Sequence, residues 1–139
     1  DNKSDSFDSD FCSGTLSNSS FKNNGNDGID LSGSNVSLKN LIINNTGDKA
    51  ISIGESSIVD AKNIQILNSI TGIACKDNSH AKINELNIEN TETAISAFIK
   101  KSEYGPSKIE IDRSNFINCQ RKFNFSDNSE IIIDSRLIE

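Results

Sequence analysis

The sequence predicts an all-β solenoid, in which short parallel strands wind into stacked coils around a narrow core. Three observations favour this fold class: an apolar-x-Asn step recurs at a nearly fixed interval, apolar and polar residues alternate between the steps, and no segment has helical periodicity. The clearest copies are DGIDLSGSNVSLKNLIINN (27–45) and KAISIGESSIVDAKNIQILN (49–68). Each copy corresponds to one coil.

The interval between the steps gives the size of a coil. The apolar members are separated by 22, 23, 22 and 28 residues, and one more lies a further 22 on: Phe21, Ile43, Ile66, Ile88, Phe116 and Ile138. A fixed period in this range is typical of solenoids. We therefore predict one domain over residues 1–139, with about six coils of 22–28 residues and a loose N-terminal segment at 1–6.

Alternation within a coil identifies the strands. Each coil contains three short sets of apolar residues at a spacing of two, which predicts three strands with one face inward. The first set is Ile29/Leu31, Ile51/Ile53, Ile73/Cys75, Ile95/Ala97 and Phe123/Phe125; the second is Val36/Leu38, Val59/Ala61, Ala81/Ile83, Ile109/Ile111 and Ile131/Ile133; the third is Leu41/Ile43, Ile64/Ile66, Leu86/Ile88, Ser114/Phe116 and Arg136/Ile138. A leucine-rich repeat would need Leu at fixed sites, so a parallel β-helix remains.

The asparagines of the repeated step form a column at one turn of five successive coils. They are Asn23, Asn45, Asn68, Asn90 and Asn118. Asparagine tolerates a left-handed backbone, and its amide can bond the equivalent amide of the next coil. We predict a buried asparagine ladder that is structural and does not bind a ligand.

Composition excludes several classes of function. The net charge is −6 and no Lys/Arg cluster forms a phosphate track, so nucleic acid is not an expected partner. No apolar run is long enough to span a membrane. The three cysteines lack metal-ligand spacing, and Cys75 is expected to be a buried free thiol. Because the chain begins with Asp and ends on apolar residues without a cap, we expect further coils or an end-to-end contact beyond Ile138.

The repeat as a whole resembles the right-handed parallel β-helix superfamily, which includes pectate lyases and polygalacturonases. The segment GDKAISIGESS (47–57), with DGID before it and GIACKDNS after it, is similar to non-enzymatic repeat domains attached to CotH-type secreted or surface proteins. The resemblance implies a right-handed, single-stranded coil in a secreted or cell-surface protein. It also implies carbohydrate or a surface protein as the partner.

An enzymatic alternative rests on two motif fragments. Asn26–Asp30 and Gly47–Ile51 are similar to polygalacturonase motifs, which places Asp27 and Asp48 at the positions of family carboxylates. Inverting glycoside hydrolysis needs one carboxylic acid and one carboxylate that activates water. Lys49 replaces the adjoining acid, and the family's Gly-His-Gly and Arg-Ile-Lys are missing. We therefore expect no catalytic residues, with Asp27, Asp48 and Lys49 as the alternative.

One column of the stack suggests a cation site. By register, Asp8, Asp30, Ser52, Ala74 and Ser96 project outward at equivalent positions. Carboxylates about 4.8 Å apart repel each other unless a cation or a hydroxyl lies between them. Calcium between Asp8 and Asp30 is therefore one hypothesis, and a solvated acidic edge is the other. No other cofactor is expected.

Polar residues at the turns and in one insertion are candidates for ligand contact. In the middle coils they are Asp30, Glu55, Lys76 and Asp77, although polar turns are also what a strand corner requires. The 28-residue interval comes from an insertion predicted to protrude at 98–108, which carries Lys100, Lys101 and Tyr104. Tyr104 can either stack on a sugar ring or pack back on the coil. We predict a non-catalytic extracellular module that binds carbohydrate or protein.

Overall fold

The computed structural model describes residues 2–139 and confirms the β-helix. The strands are β1 (Phe7–Asp10), β2 (Ser13–Asn24), β3 (Ile29–Ser32), β4 (Asn35–Thr46), β5 (Lys49–Gly54), β6 (Ile58–Lys76), β7 (His80–Phe98), β8 (Lys108–Phe125), β9 (Glu130–Ile133) and β10 (Arg136–Leu137). All belong to one ten-stranded sheet that is parallel except for its last pair. Residues 2–139 contain no helix.

The sheet folds into three faces, because β6, β7 and β8 continue around corners. Face A consists of β1, β3, β5 and the C-terminal parts of β6, β7 and β8. Face B consists of the N-terminal parts of β2, β4, β6, β7 and β8, followed by β9. Face C consists of the remaining parts of β2, β4, β6, β7 and β8. The chain runs from face A to face B to face C in every coil.

The core lies inside the three faces and, in the middle coils, has the residues that the alternation predicted. Phe125, which was also predicted to face inward, is 38% exposed because no further strand covers it. On face A, Ile29 pairs with Ile51, Ile51 with Ile73, and Ile73 with Ile95, and all four are buried. Each such side chain contributes roughly 1.5–3 kcal/mol when its apolar surface leaves water. Branched aliphatic residues fill the middle coils, and Cys75 is a buried thiol among them, as predicted.

The predicted asparagine column lies at the corner between faces C and A. Its five members have φ angles between 52° and 63°, so each has the left-handed backbone that turns the corner. Asn45 donates to Asn23 at 2.9 Å, Asn90 to Asn68 at 3.1 Å and Asn118 to Asn90 at 2.6 Å, whereas Asn68 bonds Asn44 at 2.8 Å. The ladder therefore changes partner once, between the second and third coils.

The prediction that these five asparagines are buried was wrong, because all of them are exposed. A left-handed residue at a convex corner directs its side chain away from the core, so the amides bond each other along the surface. A second asparagine column lies at the corner between faces B and C and was not predicted. Asn40 donates to Asn18 and Asn63 to Asn40, both at 3.0 Å, and their φ angles are again positive.

A column of buried serines lies at the third corner, between faces A and B. Its members are Ser34, Ser57, Ser79, Ser107 and Ser129. The backbone N–H of Ser34 donates to Ser57 Oγ at 3.0 Å, and the N–H of Ser57 donates to Ser79 Oγ at 3.1 Å. Ser57 Oγ in turn donates to the Gly54 carbonyl at 2.6 Å. These hydroxyls satisfy backbone groups that no strand partner reaches.

The end of the chain departs from the predicted coil. Arg136 and Ile138 were expected in a third strand on face C, but β10 is antiparallel to β9 and pairs Arg136 with Ile133. Asp134 and Ser135 both have positive φ, and two consecutive left-handed residues reverse the chain in a tight hairpin. Among the described residues, no strand lies beyond the 114–125 part of β8, where Phe116 and Phe123 pack edge to face at 5.5 Å.

Candidate functional site on face A

The predicted site residues lie on the outer surface of face A, at the corners beside it and in the insertion at 98–108. Asp8 pairs with Asp30 and Asp30 with Ser52, and the column continues through Ala74, in the register that was predicted. Ser52 and Ala74 are nevertheless 0% exposed, so the middle of this outward column is covered. Acidic residues lie at the first two coils of the face and lysines at the third and fourth.

The alternative catalytic residues are close together. Lys49 Nζ lies 2.6 Å from Asp48 Oδ2 and 3.9 Å from Asp27 Oδ1, and the backbone N–H of Lys49 donates to the same Asp27 oxygen at 3.0 Å. Asp27 is buried at the corner between faces C and A. Burial raises the pKa of the Asp27 carboxyl, although the Lys49 backbone hydrogen bond and the Lys49 charge oppose the shift.

The electrostatics of Lys49 do not suit it to act as a base. Burial alone would lower the pKa of Lys49, but the hydrogen bond to Asp48 and the charge of Asp27 outweigh burial and raise the pKa. The ammonium therefore lies between two carboxylates as their shared counter-ion. Carboxyl groups that activate water across a sugar stand ~6.5–9.5 Å apart. Here Asp48 Oδ2 and Asp27 Oδ1 can stand no farther apart than about the lower end of that range, since Lys49 Nζ lies 2.6 Å from the first and 3.9 Å from the second.

The acidic residues at the start of face A form a looser group. Asp8 is exposed and faces Asp30 across adjacent strands. Desolvation and repulsion from Asp10, Asp30 and Asp5 raise the pKa of Asp8. Within residues 2–139, no group of three or more His, Cys, Asp or Glu side chains is arranged to hold a metal ion. Calcium between Asp8 and Asp30 stays a prediction.

Lys76 is the last residue of β6 on face A, next to the corner with face B, and is 9% exposed. Its side chain lies over Gly54 of the preceding coil, where a Cβ added to the glycine would be 3.0 Å from Lys76 Cε. The position of the glycine therefore leaves room for the lysine arm. Burial lowers the pKa of Lys76, and the nearby charges of Lys100 and Lys49 lower it further, while Asp30 and Asp27 oppose this shift.

The insertion at 98–108 is fastened to the corner between faces A and B. Asp77 is buried, and its Oδ1 accepts the backbone N–H groups of Lys100 at 2.7 Å and Lys101 at 2.8 Å. The N–H of Asn78 donates to the Gly105 carbonyl at 2.8 Å. One coil further back, the ammonium of Lys101 forms an ion pair with Glu55. The insertion therefore lies along the corners of the third and fourth coils.

The predicted binding residues thus fall into two groups. Glu55, Asp77 and Lys101 fasten the insertion, which is a structural role that the turn pattern alone did not reveal. Lys100 is exposed beside Lys76, and Tyr104 is half-buried, with its backbone N–H bonded to the Lys101 carbonyl at 3.0 Å. The register of the columns pairs Gly54 with Lys76, which follows it by 22 residues, and the structure adds that the lysine arm lies over the glycine.

Comparison with known proteins identifies the coil as a whole. A family model described as "Right handed beta helix region" matches residues 2–138. No curated protein and no solved structure matches the chain. Within the described residues, no helix has the length and apolarity needed to cross a membrane.

Proposed function

Because the chain belongs to the right-handed β-helix region family, we propose that it is a rigid, non-catalytic module that presents face A to a ligand outside the cell. The ligand is a carbohydrate or a cell-surface protein, and contact is made by face A together with the insertion at 98–108. A stack of paired coils suits this role, since its outer columns keep fixed positions without help from a ligand.

The position of Lys49 is the observation that supports a non-catalytic role. Its ammonium pairs with Asp48 at 2.6 Å and approaches Asp27 at 3.9 Å, so the two candidate carboxylates share one protein cation. A general acid and a general base must each reach the substrate or its water. Both candidate carboxylates instead face a protein cation.

The fastening of the insertion supports a binding role. Asp77 and Glu55 hold it against two coils, so Lys100 and Tyr104 lie on an ordered support beside face A. A preorganised surface loses less conformational entropy when a ligand binds. An aromatic ring next to polar and charged side chains is suited to the apolar face of a sugar.

The proposal is tested by measuring binding and turnover on the same glycans. We expect binding on a panel of neutral and acidic oligosaccharides without release of product, and Tyr104→Ala should weaken binding by roughly tenfold. Phe11→Ala is the matched control, since Phe11 is an exposed aromatic residue away from the insertion. Product release that Asp48→Asn abolishes would overturn the non-catalytic role.

One observation favours an enzyme as the second candidate. Asp27 is a buried carboxyl with a raised pKa, which is a property of general acids. In that case Lys49 would have to leave the space between the carboxylates when substrate binds. Lys49→Met would then increase turnover of a substrate that the wild-type protein cleaves slowly, whereas we expect no turnover from either protein.

A further inference from the structure

Three charged side chains are buried in the part of the chain that the structure describes: Asp27, Asp77 and Lys76. The two carboxylates have partners, because Asp27 accepts the Lys49 N–H and lies near its ammonium, while Asp77 accepts two backbone N–H groups. Lys76 differs from both. Within residues 2–139, its ammonium has no hydrogen-bond acceptor and no carboxylate at ion-pair distance.

The Lys76 arm is buried, whereas its ammonium nitrogen is not among the fully buried polar atoms that lack a partner, so the charge reaches solvent at the surface of face A. The Lys76 arm lies flat on Gly54, and any larger residue at position 54 would have to displace it. On the same outer face, Ser52 Oγ is fully buried and has no partner among the described residues. By register Ser52 pairs with Ala74, two residues before Lys76, so the enclosed hydroxyl and the lysine lie on the same outer face of adjacent strands.

The neighbouring charges favour an anion at this place. Lys100 and Lys49 repel Lys76, while Asp30 and Asp27 attract it from beyond ion-pair distance. Lys49 is neutralised by Asp48 at 2.6 Å, so of these three neighbouring lysines Lys76 and exposed Lys100 have no carboxylate partner. Two ammonium groups that repel each other beside a low-dielectric surface bind an anion placed between them.

We propose that Lys76 and Lys100 together bind an oxyanion, the carboxylate or sulfate group of an acidic ligand, on face A at the third and fourth coils. This inference rests on the proposed function of the same surface, whose ligand class it narrows to acidic molecules. Lys76 supplies a charge whose position the buried arm fixes, and Lys100 supplies an exposed charge on the fastened insertion. The oxyanion relieves the repulsion between them.

The site can be tested on the whole chain without knowing the natural ligand. Lysines are dimethylated with ¹³C-formaldehyde, the Lys76 resonance is assigned by its loss in Lys76→Arg, and its pH titration is followed by NMR. Sodium sulfate or sodium acetate should raise the titration midpoint of Lys76, whereas sodium chloride at equal ionic strength should not. A response to sulfate alone or to acetate alone identifies the group that the site accepts.

Variants then separate the two lysines. Lys76→Met keeps the apolar arm over Gly54 and should weaken anion binding by more than about tenfold, because it removes the charge-assisted contact. Lys100→Met should weaken binding by roughly two- to fivefold, as expected for an exposed charge. Lys62→Met is the matched control, since Lys62 is an exposed lysine on face B, away from the insertion, and it should leave binding unchanged.

Two results would overturn the proposal. One is a Lys76 resonance that responds no more to sulfate or acetate than to chloride, which is measured on the wild-type chain and does not depend on any variant folding. The other is equal anion affinity in Lys100→Met and wild type. If the chain binds sulfate or acetate but no glycan, the oxyanion site stands and the carbohydrate ligand is rejected. If it binds only neutral glycans, the carbohydrate ligand stands and the oxyanion site is rejected.

Discussion

Two corners of the coil turn the chain from one face to the next with different side-chain hydrogen bonds. At the corner between faces C and A, asparagines turn the backbone and their amides bond each other at the surface. At the corner between faces A and B, serines are buried and their hydroxyls accept backbone N–H groups from the neighbouring coil. The asparagine column is the more conspicuous in the sequence, while the serine column is the more deeply embedded.

The comparison teaches that a regular column in the sequence does not reveal how much it stabilises the fold. An exposed amide that loses its partner can bond water, so its loss costs little. A buried N–H that loses its acceptor keeps the full desolvation penalty of about 1–3 kcal/mol. We therefore expect changes at the corner between faces A and B to have the larger effects.

The largest expected effect is at Asp77. Asp77→Ala leaves the backbone N–H groups of Lys100 and Lys101 without their acceptor, and each such bond to a charged group is worth roughly 1.5–3 kcal/mol. The insertion should open, and tryptic cleavage after Lys100 and Lys101 should accelerate by about tenfold or more. Glu103→Ala, a change at an exposed acid in the same insertion, is the control. Unchanged cleavage in Asp77→Ala would show that the carboxylate does not fasten the insertion.

Ser57→Ala tests the serine column directly. The change removes the acceptor of the Ser34 N–H and one of three donors to the Gly54 carbonyl, which keeps the Gly33 and Ser57 N–H groups. The free energy of unfolding should fall by about 1–3 kcal/mol in a denaturant titration. Ser126→Ala removes an exposed hydroxyl near the same corner and should change it by less than about 0.5 kcal/mol. If Ser57→Ala and Ser126→Ala lowered the free energy of unfolding equally, the buried serine column would not stabilise the fold more than exposed polar residues do.

Asn45 tests whether the asparagine column acts through its amides or its backbone. Asn45→Gly removes the amide but accepts the left-handed φ of 63°, whereas Asn45→Ala removes the amide and is strained there. We expect Asn45→Ala to be less stable than Asn45→Gly by about 1 kcal/mol, measured by denaturant unfolding. If both variants lose the same stability, the amide bonds of the ladder matter and the backbone does not.

The smallest expected effect is the pH dependence contributed by Asp27, the buried charge at the corner between faces C and A. Because burial raises the pKa of Asp27 in the folded chain above its usual value near 3.8, the folded state holds this proton more tightly than the unfolded state. The stability from Asp27 is therefore present below that value and is lost as pH rises through the raised pKa.

Asp27→Asn should remove this loss, because the amide oxygen can still accept the Lys49 N–H and does not titrate. The measurement is the free energy of unfolding from about pH 3 to pH 7 for both proteins. Asp60→Asn, a change at an exposed carboxyl on face B, is the control and should keep the wild-type profile. A profile of Asp27→Asn that parallels the wild type would contradict the assigned pKa direction.

Much of the fold could be predicted because period two and a 22-residue interval leave few alternatives. The inward sets on faces A and B were correct down to the pairing of Ile51 with Ile73, since a slip by one residue would expose an entire strand. The final set failed because Arg136 and Ile138 satisfy the spacing while Asp134 and Ser135 reverse the chain. The alternation of apolar and polar residues did not predict that Asp134 and Ser135 would both have a left-handed backbone.

The candidate site was less predictable than the fold. The sequence indicated that Lys76, Asp77 and Lys100 are polar residues near one corner. It did not show that Lys76 lacks a partner, that Asp77 fastens the insertion or that Lys100 is exposed, because these properties depend on contacts between coils. The motif fragments around Asp27 and Asp48 suggested catalysis, but Lys49 lies between the two carboxylates. Contacts between coils depend on how the coils stack, so a motif within one coil does not predict them.

The sequence by itself determined the coil, its interval, its inward residues and its columns, because hydrophobic periodicity and left-handed turn residues act within one coil. Only the tertiary structure decided which polar columns are buried, which carboxylates have partners, and that Lys76 has none. The physical reason is that burial and charge pairing are set by the coils above and below. Residues more than 20 positions away in the chain therefore define the environment of each candidate.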